Sequence, residues 1–162
     1  MTSEALDCHY SITGSGPSIF LTHGVGAAED AWRFITPKLS ENFTVITYDL
    51  RGHGRSPVTH KNFGLEELVL DLERVREKAN IDKGHFIGHS LGGMIAPAYA
   101  KKYPDKVLSV GMLSTVAGRS DDDTKKVWSV IKEMEENGVE KTLEKLITRW
   151  FTDEFIANNS EL

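Results

Sequence analysis

His85-Phe86-Ile87-Gly88-His89-Ser90-Leu91-Gly92-Gly93 joins a short β-rich run to a helical pattern that reaches about Tyr103, with a G-x-S-x-G turn between them. A serine at the tip of so tight a strand-to-helix turn must adopt strained backbone angles. The residues two positions away on either side, Gly88 and Gly92, must lack a side chain for the chains to pass. The turn exposes the hydroxyl, and the helix beneath it offers free N–H groups to a developing negative charge. In this strand–turn–helix context Ser90 reads as a nucleophile. The competing reading is a glycine-rich turn whose serine merely caps the helix.

Working outward, short β-rich runs alternate with longer helical patterns, which predicts an α/β fold with a mostly parallel sheet and helices on both faces. Leu6 to Thr13 reads as an edge strand, Ser18 to Thr22 and Phe43 to Tyr48 as central strands, and Val107 to Leu113 as a further strand. Gly64 to Ala79 places Leu65, Leu68, Val69, Leu72, Val75 and Ala79 at helical spacing, with Glu and Arg on the other face. Pro97 falls inside the helix after Ser90, where it removes one hydrogen bond and is expected to kink or loosen that helix.

From about Gly118 the alternation stops. Asp121 to Asp123 precede a helix carrying Val127, Trp128, Ile131 and Met134, and Asn137-Gly138 ends it. A second helix, Val139 to Trp150, places Leu143, Leu146, Ile147 and Trp150 on one side. The acidic run reads as charge favoured at a helix N-terminus rather than as a metal site. Two helices with no intervening strand look inserted, so residues 1–117 are expected to form a core and 118–162 part of a helical cap.

A second glycine-rich turn, Thr22-His23-Gly24-Val25-Gly26, follows a strand at the edge where open α/β sheets bind ligands. The N–H groups of Val25 and Leu91 would together make a two-donor oxyanion hole, with His23 holding the loop backbone rather than acting as a base. His9, His60 and His85 lie in segments without catalytic context, and Cys8 reads as a small edge-strand residue.

The composition excludes several classes. Nineteen basic against 24 acidic side chains give a net charge of −5, which offers no basic field to nucleic acid or anionic lipid. One cysteine forbids an intrachain disulfide. No apolar run approaches the roughly 20 residues of a membrane span, and Met1 to Asp7 lacks the pattern of a signal peptide. A cytoplasmic protein is expected, and nothing calls for a metal or organic cofactor.

Leu21 to Gly26 (LTHGVG), Tyr48 to Ser56 (YDLRGHGRS) and Gly88 to Gly93 (GHSLGG) together resemble the α/β-hydrolase superfamily, in its order and at its usual separations. The helical stretch after Gly118, Arg149 to Phe155 above all, is similar to the cap of 3-oxoadipate enol-lactonases. The resemblance implies attack of Ser90 on a lactone or ester carbonyl, an acyl-enzyme, then hydrolysis by water. It assigns Asp49 to Ser56 a structural role. Gly24, His89, Trp128 and Trp150 become candidate substrate-lining residues, and Arg149 and Arg119 candidate cations for a dicarboxylate substrate.

The same fold orders its triad Ser, then Asp or Glu, then His, yet no histidine follows Ser90 here. The final strands that carry the acid and base are missing from these 162 residues. The expected partner is a second polypeptide supplying an Asp and a His, which would also cover the apolar edge of the Val107 to Leu113 strand. A half of a natural two-chain enzyme and a truncated, inactive product are the alternatives to a cleaved hydrolase. A general carboxylesterase, an acyltransferase or haloperoxidase-like enzyme, and a non-catalytic hydrolase-fold binding protein also remain open.

Overall fold

The structure is a computed structural model that describes residues 4–159, with the side chains of Leu143, Leu146 and Arg149 outside the described set. The chain divides into two compact units, Met1–Ala117 and Gly118–Leu162.

The first unit is built on a five-stranded sheet in the order β1-β3-β2-β4-β5. These strands are β1 (Tyr10–Thr13), β2 (Ser18–Thr22), β3 (Thr44–Tyr48), β4 (Gly84–His89) and β5 (Val107–Leu113). β1 is antiparallel to β3, and every other pairing is parallel. β-branched and aromatic residues fill the central strands and, with a period of two, send alternate side chains to opposite faces.

On one face Phe20, Ile46, Tyr48 and Phe86 pack against Leu68, Leu72 and Val75 of α2 (Leu65–Lys78) and Ile95, Ala96 and Tyr99 of α3 (Leu91–Lys102). Phe20 and Phe86, opposite one another in the β2–β4 register, stack with centroids 4.6 Å apart. On the other face Ile19, Leu21 and Val45 are covered by Trp32 of a 3-10 turn (Glu29–Trp32) and by Leu39 of α1 (Thr36–Leu39). Each such side chain, fully buried, contributes roughly 1.5–3 kcal/mol.

Several expectations are corrected. β1 starts at Tyr10 rather than Leu6, because Leu6 donates its N–H to Asp71 Oδ1 (2.6 Å) and the segment turns toward α2. α2 does not carry its charges on the outer face alone: Asp71 and Arg76 are buried. α3 continues past Pro97 as one helix, Leu91–Lys102, so the proline does not end it.

In the second unit, α4 (Asp121–Asn137) includes the acidic run in its first turn, and the cap itself is Ser120, whose Oγ accepts the Asp123 N–H at 3.2 Å. α5 (Val139–Trp150) follows, then α6 (Asp153–Asn158), a helix that the sequence reading did not foresee. Its start is legible afterwards: the Thr152 hydroxyl accepts the Phe155 N–H, and two acidic residues occupy the first turn. Among the described residues no helix is long and apolar enough to cross a membrane.

Candidate active site

Ser90 stands between the end of β4 and the first residue of α3 with φ 53° and ψ −112°, positive-φ backbone that non-glycine residues avoid. The fold holds it there from both sides. Its N–H donates to the Leu113 carbonyl at 2.9 Å, and its carbonyl accepts the Thr115 hydroxyl at 2.7 Å. A methyl group on Gly88 would overlap the Gly92 carbonyl and come within 2.5 Å of the Gly93 nitrogen. One on Gly92 would come within 2.7 Å of the Thr22 carbonyl carbon. The turn therefore closes only with glycine at these two positions, which is the steric logic of a nucleophile elbow.

The loop after β2 comes to the same place. A Cβ added to Gly24 would sit 3.0 Å from Ser90 Cβ and 3.3 Å from His89 Nδ1, so Gly24, His89 and Ser90 are neighbours. Val25, next along, is 66% exposed. Leu91, as the first residue of α3, has an N–H with no carbonyl four residues back inside the helix.

His23 is buried and neutral. It accepts the Leu50 N–H on Nε2 (2.9 Å) and donates Nδ1–H to the Gly24 carbonyl (2.7 Å), and burial holds its imidazole below the usual range. The loop after β3 is structural in the same way. The Asp49 carboxylate accepts the N–H groups of Glu29 (2.7 Å) and Arg55 (2.9 Å), and its carbonyl accepts the Ser56 hydroxyl at 2.6 Å.

The sequence matches the family described as alpha/beta hydrolase fold over residues 17–154. The chain belongs to the α/β-hydrolase family. It is 30% identical over 149 residues to 3-oxoadipate enol-lactonase 1 of Acinetobacter baylyi, which covers 91% of this chain and 54% of that enzyme. The enol-lactonase from Burkholderia xenovorans LB400 superposes with a TM-score of 0.85 at 26% identity, over 97% of this chain and 62% of that one. A thermophilic esterase from Thermogutta terrifontis superposes with a TM-score of 0.84 at 27% identity, over 95% and 57%. The chain thus spans little more than half the length of each.

In this α/β-hydrolase chain, the remaining candidates fall in the second unit. Trp128 on α4 and Trp150 on α5 are both exposed, as is Arg119. The Arg149 side chain lies outside the described residues, as do Leu143 and Leu146. Among the described residues no histidine is hydrogen-bonded to Ser90: His23 and His53 spend both ring nitrogens on other partners, and His85 faces Ser109 at 2.8 Å. A cavity of about 260 Å³ that Ser90 does not line is bordered by Glu29, Asp30, Arg33, Thr47 and Arg55, where Arg33 pairs with Asp30 and Arg55 with Glu29.

One ion pair supporting the site was not visible in the sequence. Arg51 grips the Asp71 carboxylate with two bonds, Nε to Oδ2 at 2.6 Å and Nη2 to Oδ1 at 2.7 Å, and both side chains are buried. Arg51 also donates to the Glu4 and Glu67 carbonyls, so it ties the loop after β3 to α2 and to the amino-terminal segment. The available signal was an aspartate placed among Leu68, Val69, Leu72 and Val75 on the apolar stripe of α2.

Proposed function

We propose that the protein is a serine hydrolase that cleaves a carboxylic ester or lactone through an acyl-enzyme, with Ser90 as nucleophile. The observation that carries this reading is the strained Ser90 elbow with the Gly24–Val25 loop against it. Ser90 Oγ attacks the carbonyl carbon and the carbonyl π pair moves onto oxygen, which then accepts hydrogen bonds from the N–H groups of Leu91 and Val25. Collapse of that intermediate expels the alkoxide, which takes up the proton that left Oγ. Water then repeats the sequence on the acyl-enzyme and frees Ser90.

A serine hydroxyl needs a base to take its proton, and loss of that base leaves only about 10³–10⁴-fold catalysis over water. Since no histidine follows Ser90 in these 162 residues, the base and its acid are assigned to residues outside them. In this reading Gly24 and His89 of the first unit and Trp128 and Trp150 of the second are assigned to substrate binding, with Arg119 or Arg149 the cation for a substrate carboxylate. The first candidate substrate is 3-oxoadipate enol-lactone, supported by the 30% identity to an enol-lactonase over 91% of the chain. A general carboxylesterase is the second reading, supported by the likeness to the thermophilic esterase.

A fluorophosphonate probe tests the chemistry. The assembled protein, identified by intact mass together with whatever chain completes it, should carry the adduct on Ser90 and lose it in Ser90→Ala. No labelling in any assembly state would support a non-catalytic binding protein instead. Faster turnover of simple aryl esters than of the enol-lactone would favour the esterase.

A further inference from the structure

We infer that His53 is a positioning residue for the oxyanion hole, holding the peptide that follows Val25 so that the Val25 N–H keeps its direction. This rests on the function proposed above. Val25 lies between two glycines, Gly24 and Gly26 (φ 75°), and the bond inside its own loop, from the Ala27 N–H to the Gly24 carbonyl, is long at 3.4 Å. Such a stretch has little to resist a peptide flip, so its conformation is set from outside.

Two peptide planes meet at Val25, and each is pinned by a histidine. The first joins Gly24 to Val25. Because a trans peptide points its C=O and N–H in opposite directions, His23 Nδ1–H bonded to the Gly24 carbonyl aims the Val25 N–H the other way. The second plane joins Val25 to Gly26, and its N–H donates to His53 Nε2 at 3.1 Å. His53 can accept there only because its Nδ1–H is committed to the Arg51 carbonyl at 3.0 Å, which fixes the neutral tautomer. The two rings lie 5.3 Å apart. With both planes pinned, neither dihedral of Val25 can rotate. With the second released, the residue can swing about its own Cα.

The loop that carries His53 is itself anchored. Leu50 donates to His23, Asp49 accepts the Glu29 N–H, and Arg51 is locked to Asp71. His53 is thus a rigid arm reaching to an otherwise loose turn.

The experiment compares His53→Gln with His53→Asn in the full-length enzyme, base included, on a chromogenic aryl ester. Glutamine places its carbonyl oxygen near the position of Nε2 and can accept the Gly26 N–H. Asparagine reaches the Arg51 carbonyl but is too short for Gly26. Loss of one oxyanion donor costs about 10²–10³-fold, so a loosened donor in His53→Asn should lower kcat about 10- to 100-fold with KM within about threefold. His53→Gln should recover kcat to within about fivefold of the parent, because the acceptor is restored. Fluorophosphonate labelling rates should follow kcat. In glycine-labelled NMR samples the Gly26 amide should be protected from exchange in the parent and in His53→Gln, and unprotected in His53→Asn.

Equal activity of the two variants, or equal loss in both, overturns the inference, as does a protected Gly26 amide in His53→Asn. If the parent itself is not labelled at Ser90, the reading of the site fails, and Gly26 exchange still decides whether His53 holds the loop.

Discussion

Replacing Ser90 by glycine should make the protein more stable than replacing it by alanine, the reverse of what happens at ordinary positions. Alanine keeps the Cβ and therefore the strain of φ 53°, ψ −112°, while deleting only the hydroxyl. Glycine deletes the Cβ as well. Non-glycine residues in such sparsely populated backbone regions cost about 1–3 kcal/mol, and glycine forfeits roughly 0.5–1 kcal/mol through the greater freedom of its unfolded chain. The difference leaves Ser90→Gly about 1 kcal/mol ahead of Ser90→Ala. For a domain of 150–250 residues that is about 2–4 °C in Tm. Urea titrations of the full-length variants, with equal slopes, give the comparison directly. Neither variant has a nucleophile, so activity does not complicate the reading. If Ser90→Gly proves less stable by the usual 0.5–1 kcal/mol, Ser90 is not held against its preference and the argument from strain collapses.

Gly92→Ala should destabilise by at least the about 1–3 kcal/mol of an overpacked core, because its methyl would press on the Thr22 carbonyl carbon at 2.7 Å; a Tm unchanged within 1 °C would refute this. Breaking the buried Arg51–Asp71 pair with Asp71→Asn should cost about 3–5 kcal/mol, and Arg51→Met/Asp71→Leu should cost less than the sum of its single variants, as read by a double-mutant cycle. Burial opposes charge on Glu73, but Arg76 and the Tyr99 hydroxyl outweigh it, so its carboxyl lies below its ordinary 4.5. The stability this contributes is full above that value and is lost as pH falls through the folded one, and Glu73→Gln should flatten that acid limb in pH-dependent urea titrations. Burial pushes the Cys8 thiol up to about 12, so a disulfide reagent at pH 8 should modify it only after denaturation.

What was legible in the sequence, and what was not, divides along one physical line. The elbow was readable because sterics act locally: Gly88 and Gly92 lie two residues on either side of the strained Ser90, and no distant partner is needed to demand them. Strands β2 to β4 were readable because an apolar run announces its own burial, and β5 shows the same kind of run although Leu108, Met112 and Leu113 are exposed. α6 and the late start of β1 were missed because each turns on a single hydrogen bond, Thr152 to Phe155 and Leu6 to Asp71. The Arg51–Asp71 pair was missed because a charged residue announces nothing about its partner, here 20 positions away.

His53 shows the same limit at the site itself. Its position in Arg51-Gly52-His53-Gly54 marks a turn, and the resemblance assigns it a structural role. That its Nε2 meets the one peptide that a loose Gly24–Gly26 loop leaves free depends on where two loops, 27 residues apart in sequence, cross above the sheet. The order of strands supplies that crossing: β2 and β3 are parallel neighbours, so both loops leave the same end of the sheet side by side. A parallel pair next to the elbow strand thus does more than support Ser90. It brings the residues that aim a backbone donor within reach of the donor, and no pattern inside either loop encodes that.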